Sequence, residues 1–302
     1  MNNTLLAHYV KDCSILGYAY LIIVDFPSSE YNHNQVVTSV MNCVLTIPVI
    51  ALNGITVLTL WKNRFLLLKV SNIPVLIQSI ADLAVGLLTL PLFAFLHLTE
   101  VFGRPDCALS FAFSSAAFIP WGLSLAALCA LTLERYISVV HPIFHRNLLT
   151  KKTFFAYSFI ASFVTLVIVP LAVASAIFYY IFCGVYAIVP VLLHAFCYIR
   201  ILRSRRKLVP ANMTRNEKGK SLKELKLTKS CALVVLTFYV CCIPGEILNL
   251  YYLSNIIIYR VVISWYCVAL GINTVLNSVI YFWTRPALRK EAIKVVNNFW
   301  TA

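Results

Sequence analysis

Seven stretches of more than 20 residues carry almost no charge, and this recurrence constrains the chain more than any other feature. They run approximately over residues 36–61, 71–97, 107–133, 154–177, 180–202, 230–253 and 256–283. About 20 helical residues cross the hydrocarbon of a bilayer, and lipid offers no partner to a bare backbone group, so helix is the state such runs require. Composition agrees: 61% of the 302 residues are hydrophobic, 12% are charged and mean hydropathy is +0.84. Soluble domains are roughly 45–50% apolar, so a water-soluble globule is excluded. The fold class expected is an all-α membrane protein, a seven-transmembrane helix bundle. Residues 1–35 form an N-terminal arm, 36–283 the bundle and 284–302 a tail. Residues 154–202 are almost unbroken, which requires two helices and a tight turn near Tyr179 and Tyr180. The apolar run Cys13–Phe26 is too short to span and reads as an extracellular arm or interfacial segment. It lacks a cationic start, which argues against a cleaved signal peptide.

The net charge of +14 would suggest nucleic acid in a soluble protein, but no basic groove flanked by aromatics accompanies it. Its position decides its meaning. Lys11, Arg104 and Arg260 fall on one side of the spans, and all other lysines and arginines on the opposite side. Cationic loops stay in the cytoplasm, which places the amino terminus outside and the carboxyl terminus inside. The Asn2-Asn3-Thr4 sequon then lies where glycosylation occurs, with Asn2 as acceptor. On that side Cys107 has two possible disulfide partners, Cys183 and Cys13. The basic residues between Arg203 and Lys229 suit an anionic leaflet or an acidic protein surface, or simply set topology.

Ionisable groups inside hydrocarbon are functional candidates, and the spans hold Asp82 and Glu246. Asn53, Ser124, Asn273 and Asn277 can accompany Asp82, the last two sharing a helical face. Such a cluster can hold a hydrated monovalent cation, take up a proton, or merely satisfy itself by hydrogen bonding.

Glu134-Arg135-Tyr136, followed by His141-Pro142, closes the third span and resembles the Asp/Glu-Arg-Tyr signature of rhodopsin-like G-protein-coupled receptors. Other spans carry similar marks in order: Asn53-Gly54, Asp82 with Pro91, Pro190 with Tyr198, Phe238 with Cys241-Cys242-Ile243-Pro244, and Asn277-Ser278-Val279-Ile280-Tyr281. The resemblance implies that Arg135 pairs with Glu134 at rest and meets a heterotrimeric G protein when active. It also implies that Glu224 locks helix six, that Tyr198 and Tyr281 swing inward on activation, and that Asp82, Asn53, Ser124, Asn273 and Asn277 form an allosteric sodium pocket. Four departures stand out: Cys242 replaces a tryptophan, Ser278 replaces a proline, the fourth span lacks its usual tryptophan, and Cys107 lies farther than usual from Arg135. The very short fourth-to-fifth connection resembles that of melanocortin and lipid receptors. Beyond Tyr281, Leu288, Ile293 and Val296 alternate with Arg289, Lys290 and Lys294, the pattern of a short amphipathic helix lying on the membrane surface.

For the ligand, Ala117 replaces the aspartate that amine receptors carry, and residues 230–289 contain no lysine for a retinal Schiff base. Glu246 is a candidate partner for a cationic ligand, and Trp121, Tyr251 and Trp265 are candidate lining aromatics. The reading reached is a plasma-membrane receptor for an extracellular or lipid ligand, with no cofactor except a possible allosteric sodium ion. The alternative is an ion or proton transporter or channel using Asp82 and Glu246, although inverted repeats are lacking. No catalytic signature marks an enzyme.

Overall fold

A computed structural model describes residues 8–15, 19–148, 150–174, 176–205, 215–252 and 254–300. The chain opens with a hairpin, β1 (Val10–Ile15) antiparallel to β2 (Ala19–Val24), and Cys13 stands opposite Leu21. Helices follow: α1 (Ser29–Lys62), α2 (Arg64–Leu68), α3 (Ile73–Ala84), α4 (Leu90–Val101), α5 (Cys107–Val140), α6 (Pro142–Leu148), α7 (Lys151–Ala174), α8 (Ala176–Arg205), α9 (Arg215–Tyr251), α10 (Ile256–Thr284) and α11 (Pro286–Trp300). Among the described residues, five segments are long and apolar enough to cross a membrane: α1, the stretch Val70–Val101, α5, the Lys226–Tyr251 part of α9, and α10. Two further long helices, α7 and α8, cover the residues read from the sequence as a fourth and fifth span but are not among these five.

Most helices outrun the apolar stretches that announce them. Hydropathy marks where lipid begins, whereas helical hydrogen bonding continues into water wherever the residues favour it. Thus α1 starts at Ser29, with Glu30 complementing the positive end of the helix dipole, and α9 starts at Arg215 rather than near 230. The tight turn expected near Tyr179 and Tyr180 is not there, since α8 begins at Ala176 and runs through both tyrosines. The second span is one continuous rod containing a π turn over Val85–Thr89 just before Pro91. Such bulges absorb a residue that the regular ladder cannot, and here the Thr89 hydroxyl donates across to the Ala116 carbonyl at 2.6 Å.

The helix α5 runs through the middle, packing on α3, α7, α8 and α9, while α10 bridges α9 and α1. The largest core cluster joins Leu128 and Leu131 of α5 to Phe238 and Cys242 of α9 and to Tyr266 and Tyr281 of α10. At the α9–α10 seam a Cβ on Gly245 would collide with Cδ2 of the Tyr266 ring. Gly245→Ala is therefore expected to push the buried ring aside, costing about 1–3 kcal/mol. Thermal unfolding of the purified protein checks this, and in a Tyr266→Ala background Gly245→Ala should add little further loss.

Candidate functional site

The geometry of three polar clusters follows from where the helices place single residues. In mid-bundle, Gln78 and Asp82 lie one turn apart on α3. Asp82 Oδ1 accepts from Gln78 Nε2 at 3.1 Å and from Ser124 Oγ of α5 at 3.3 Å, while Oδ2 accepts from Asn277 Nδ2 of α10 at 3.0 Å. Gln78 Nε2 also donates to Ser124 Oγ. The cluster thus ties α3, α5 and α10 together. Asn53 stands outside it: its Oδ1 accepts from the Ser278 hydroxyl at 2.8 Å, a bond between α1 and α10 that a proline at 278 could not make. Asn273 is buried with its carbonyl oxygen unpartnered. Gln78 escaped the sequence reading. The available signal was a lone amide four residues before the aspartate in an apolar run.

At the opposite end of α5, Glu134 and Arg135 form a buried ion pair through two nitrogens of the guanidinium, and Arg135 is only 2% exposed. The helix continues past its apolar stretch to Val140, and the short α6 folds back beneath it. That return brings His145 Nε2 to 2.9 Å from Glu134 Oε1, so one carboxylate serves two partners. Tyr136 points elsewhere, its hydroxyl 3.3 Å from His141 Nε2 and its ring against Phe196. Phe238, Cys242 and Tyr281 sit in the core, Tyr198 is half-buried, and Pro244 lies within α9. Glu224 belongs to α9, but its side chain lies outside the described residues.

A third cluster joins charged and polar residues that lie far apart in the sequence. Glu100, at the end of α4, is 3% exposed and pairs with Arg260 of α10, itself 9% exposed. Tyr31 of α1 donates to Glu100 at 3.2 Å, and His97 Nδ1 lies 3.6 Å from it. One turn deeper, Ser264 Oγ donates to Gln35 Oε1 at 2.8 Å. Phe26, leading out of the hairpin, packs edge-on against both Tyr9 and Tyr31. The hairpin itself lies on α5 and α7 and is fastened by a Cys13–Cys107 disulfide that spans 94 residues. This resolves the open pairing in favour of Cys13. The side chain of Cys183, in α8, and all of Asn2 lie outside the described residues.

The expected ligand-lining residues do not converge. Ala117 packs into an apolar cluster with Phe93, Phe113 and Cys267. Glu246 and Trp121 are half-buried. Tyr251 is exposed with its ring edge-on to the Tyr252 ring, and Trp265 faces outward with Nε1 donating to Asn34 Oδ1 at 2.8 Å. Amphipathic aromatics at helix ends serve as well at the lipid boundary as in a pocket. Among the described residues no three His, Cys, Asp or Glu side chains cluster as a metal site.

Residues 52–178, from the middle of α1 into α8, match the family model described as 7 transmembrane receptor (rhodopsin family). The matched range contains Asn53-Gly54, Asp82 and Glu134-Arg135-Tyr136. No curated protein shows a significant match to the chain.

Proposed function

We propose that this rhodopsin-like receptor, a multi-pass membrane protein, spans the plasma membrane seven times with its amino terminus outside and activates a heterotrimeric G protein. The observation that carries the proposal is the buried Glu134–Arg135 pair at the end of α5, on the side where the cationic loops gather. An extracellular or lipid ligand shifts the population toward a state in which the cytoplasmic half of α9 swings out. Arg135 then leaves Glu134 and Glu224 and meets the G protein, with Tyr198 and Tyr281 closing in behind it. No chemistry is done on the ligand.

Two finer assignments accompany this. The Asp82, Ser124 and Asn277 cluster is the candidate place for an allosteric sodium ion, with Asn273 supplying a carbonyl oxygen that has no donor of its own. The helix α11 lies against the inner leaflet. Leu288 and Ala292 turn into the bundle, while Ile293, Arg289, Lys290 and Lys294 remain exposed for lipid tails and headgroups. Outside the membrane, the Lys294 ammonium, 2.8 Å from Glu291, holds that carboxyl below its usual range.

Nucleotide exchange tests the proposal, using a panel of G proteins in membranes that carry surface-confirmed wild type, Glu224→Ala or Arg135→Ala. Exchange should rise in Glu224→Ala and vanish in Arg135→Ala. Silence of all inserted forms on every G protein would sink the coupling reading, and ion flux with Asp82→Asn as control would then test the transporter alternative.

A further inference from the structure

Arg285 follows the last residue of α10 and is only 6% exposed. Its Nη1 donates to the Ser71 carbonyl at 3.2 Å and to Asn72 Oδ1 at 2.6 Å, and its guanidinium carbon lies 5.6 Å from the centre of the Tyr281 ring. These contacts fix the orientation of the group without neutralising it. Among the described residues no carboxylate pairs with Arg285, and its Nε–H and Nη2–H meet no oxygen or nitrogen acceptor, the uncharged Cys231 thiol being the side-chain partner beside it. The groups acting on it electrostatically are Cys231 of α9, Tyr281 on its own helix, and Arg135 and Glu134 of α5. Glu134 is already engaged by Arg135 and His145.

A guanidinium does not give up its proton in a protein, and a buried cation without a counter-charge is costly. Water can accept from the two open N–H groups but brings no charge. Nε–H and Nη2–H lie along one edge of the guanidinium, side by side, which is the arrangement that grips two oxygens of an oxyanion. The neighbours add positive charge: Arg289 and Lys290 are in the next turn, and Lys69 precedes the segment that Arg285 holds. That surplus favours an anion of higher charge over a single carboxylate.

We propose that Arg285 is the floor of an oxyanion site between α10, α9 and the Val70–Asn72 turn, and that it takes one phosphate group, free or carried on a lipid headgroup. The site lies on the side read as cytoplasmic and rests on that orientation, not on G-protein coupling. Its occupant pins the foot of α10 to the start of α3.

The test is thermal unfolding of the full chain in nanodiscs of three kinds: phosphatidylcholine with potassium chloride, phosphatidylcholine with potassium phosphate at equal ionic strength, and phosphatidylcholine containing phosphatidylinositol 4-phosphate with potassium chloride. The midpoint should rise by about 3 °C in at least one phosphate arm. A rise in the second arm identifies the free ion as sufficient; a rise confined to the third identifies the headgroup. Arg285→Lys keeps the charge but loses the two-pronged edge and should abolish the shift, whereas Arg104→Gln, at an exposed cation on the opposite side of the membrane, should preserve it. If Arg285→Lys does not fold, the wild type still decides: labelled phosphate, or labelled headgroup lipid, should be retained at one per chain. No shift and no retention in either phosphate arm overturns the proposal, as does a shift that Arg285→Lys leaves unchanged.

Discussion

Replacing Glu100 with alanine is expected to lower the unfolding midpoint of the purified protein by about 10 °C. The pair it forms with Arg260 joins α4 to α10 across 160 residues of sequence, and both partners are withdrawn from solvent. Taking away one member of a buried pair leaves the other as an uncompensated charge, typically at a cost of about 3–5 kcal/mol. The Tyr31 hydroxyl would lose its acceptor at the same time, loosening α1 and the Phe26 contact that leads to the hairpin. For a chain of this size each kcal/mol is worth roughly 2–4 °C. Arg260→Ala should be about as damaging, because it strands the carboxylate. Glu100→Leu combined with Arg260→Leu should recover most of the loss, since two apolar residues of similar bulk carry neither desolvation cost nor unpaired charge. Differential scanning fluorimetry on the wild type and these three forms measures the differences. A Glu100→Ala midpoint within about 2 °C of wild type would mean that the pair contributes little.

What the sequence disclosed and what it withheld divide along physical lines. Helices such as α1, α5 and α10 are legible because hydrocarbon imposes a length and an absence of charge that any reader can count. The clusters are only half legible. Asp82 and Glu134 announce themselves as charges at odds with their surroundings, but their partners are chosen by packing. Gln78 looks like an isolated amide until α5 sets Ser124 beside it, and His145 looks like a loop residue until α6 turns back under Glu134. Glu100 and Arg260 each read as an ordinary charge at a span end, and nothing local says that α4 and α10 bring them together. The hairpin was hidden for a similar reason. A short apolar run is compatible with an interfacial segment or a strand, and the choice falls to a cross-link whose other half is 94 residues away.

Glu134→Gln should raise basal nucleotide exchange about tenfold at equal surface amount. The carboxylate holds Arg135 through two nitrogens and His145 through a third contact, and Glu134 and Arg135 are both buried. Glutamine keeps the size and one acceptor oxygen but removes the charge, and a hydrogen bond to a charged group is worth about 1.5–3 kcal/mol. Because 1.4 kcal/mol is a factor of ten in a population, loss of the pair moves a scarce active state to a visible fraction without any ligand. His145→Ala removes one contact from a side chain that is 26% exposed, and should raise exchange only about threefold. The two variants are not expected to multiply, since both act on the same oxygen. Glu134→Gln with Arg135→Ala provides the decisive comparison. If Arg135 is the group set free, the double variant is as silent as Arg135→Ala alone; if it stays active, Glu134 acts through some other contact and the pair is a fastening rather than a switch.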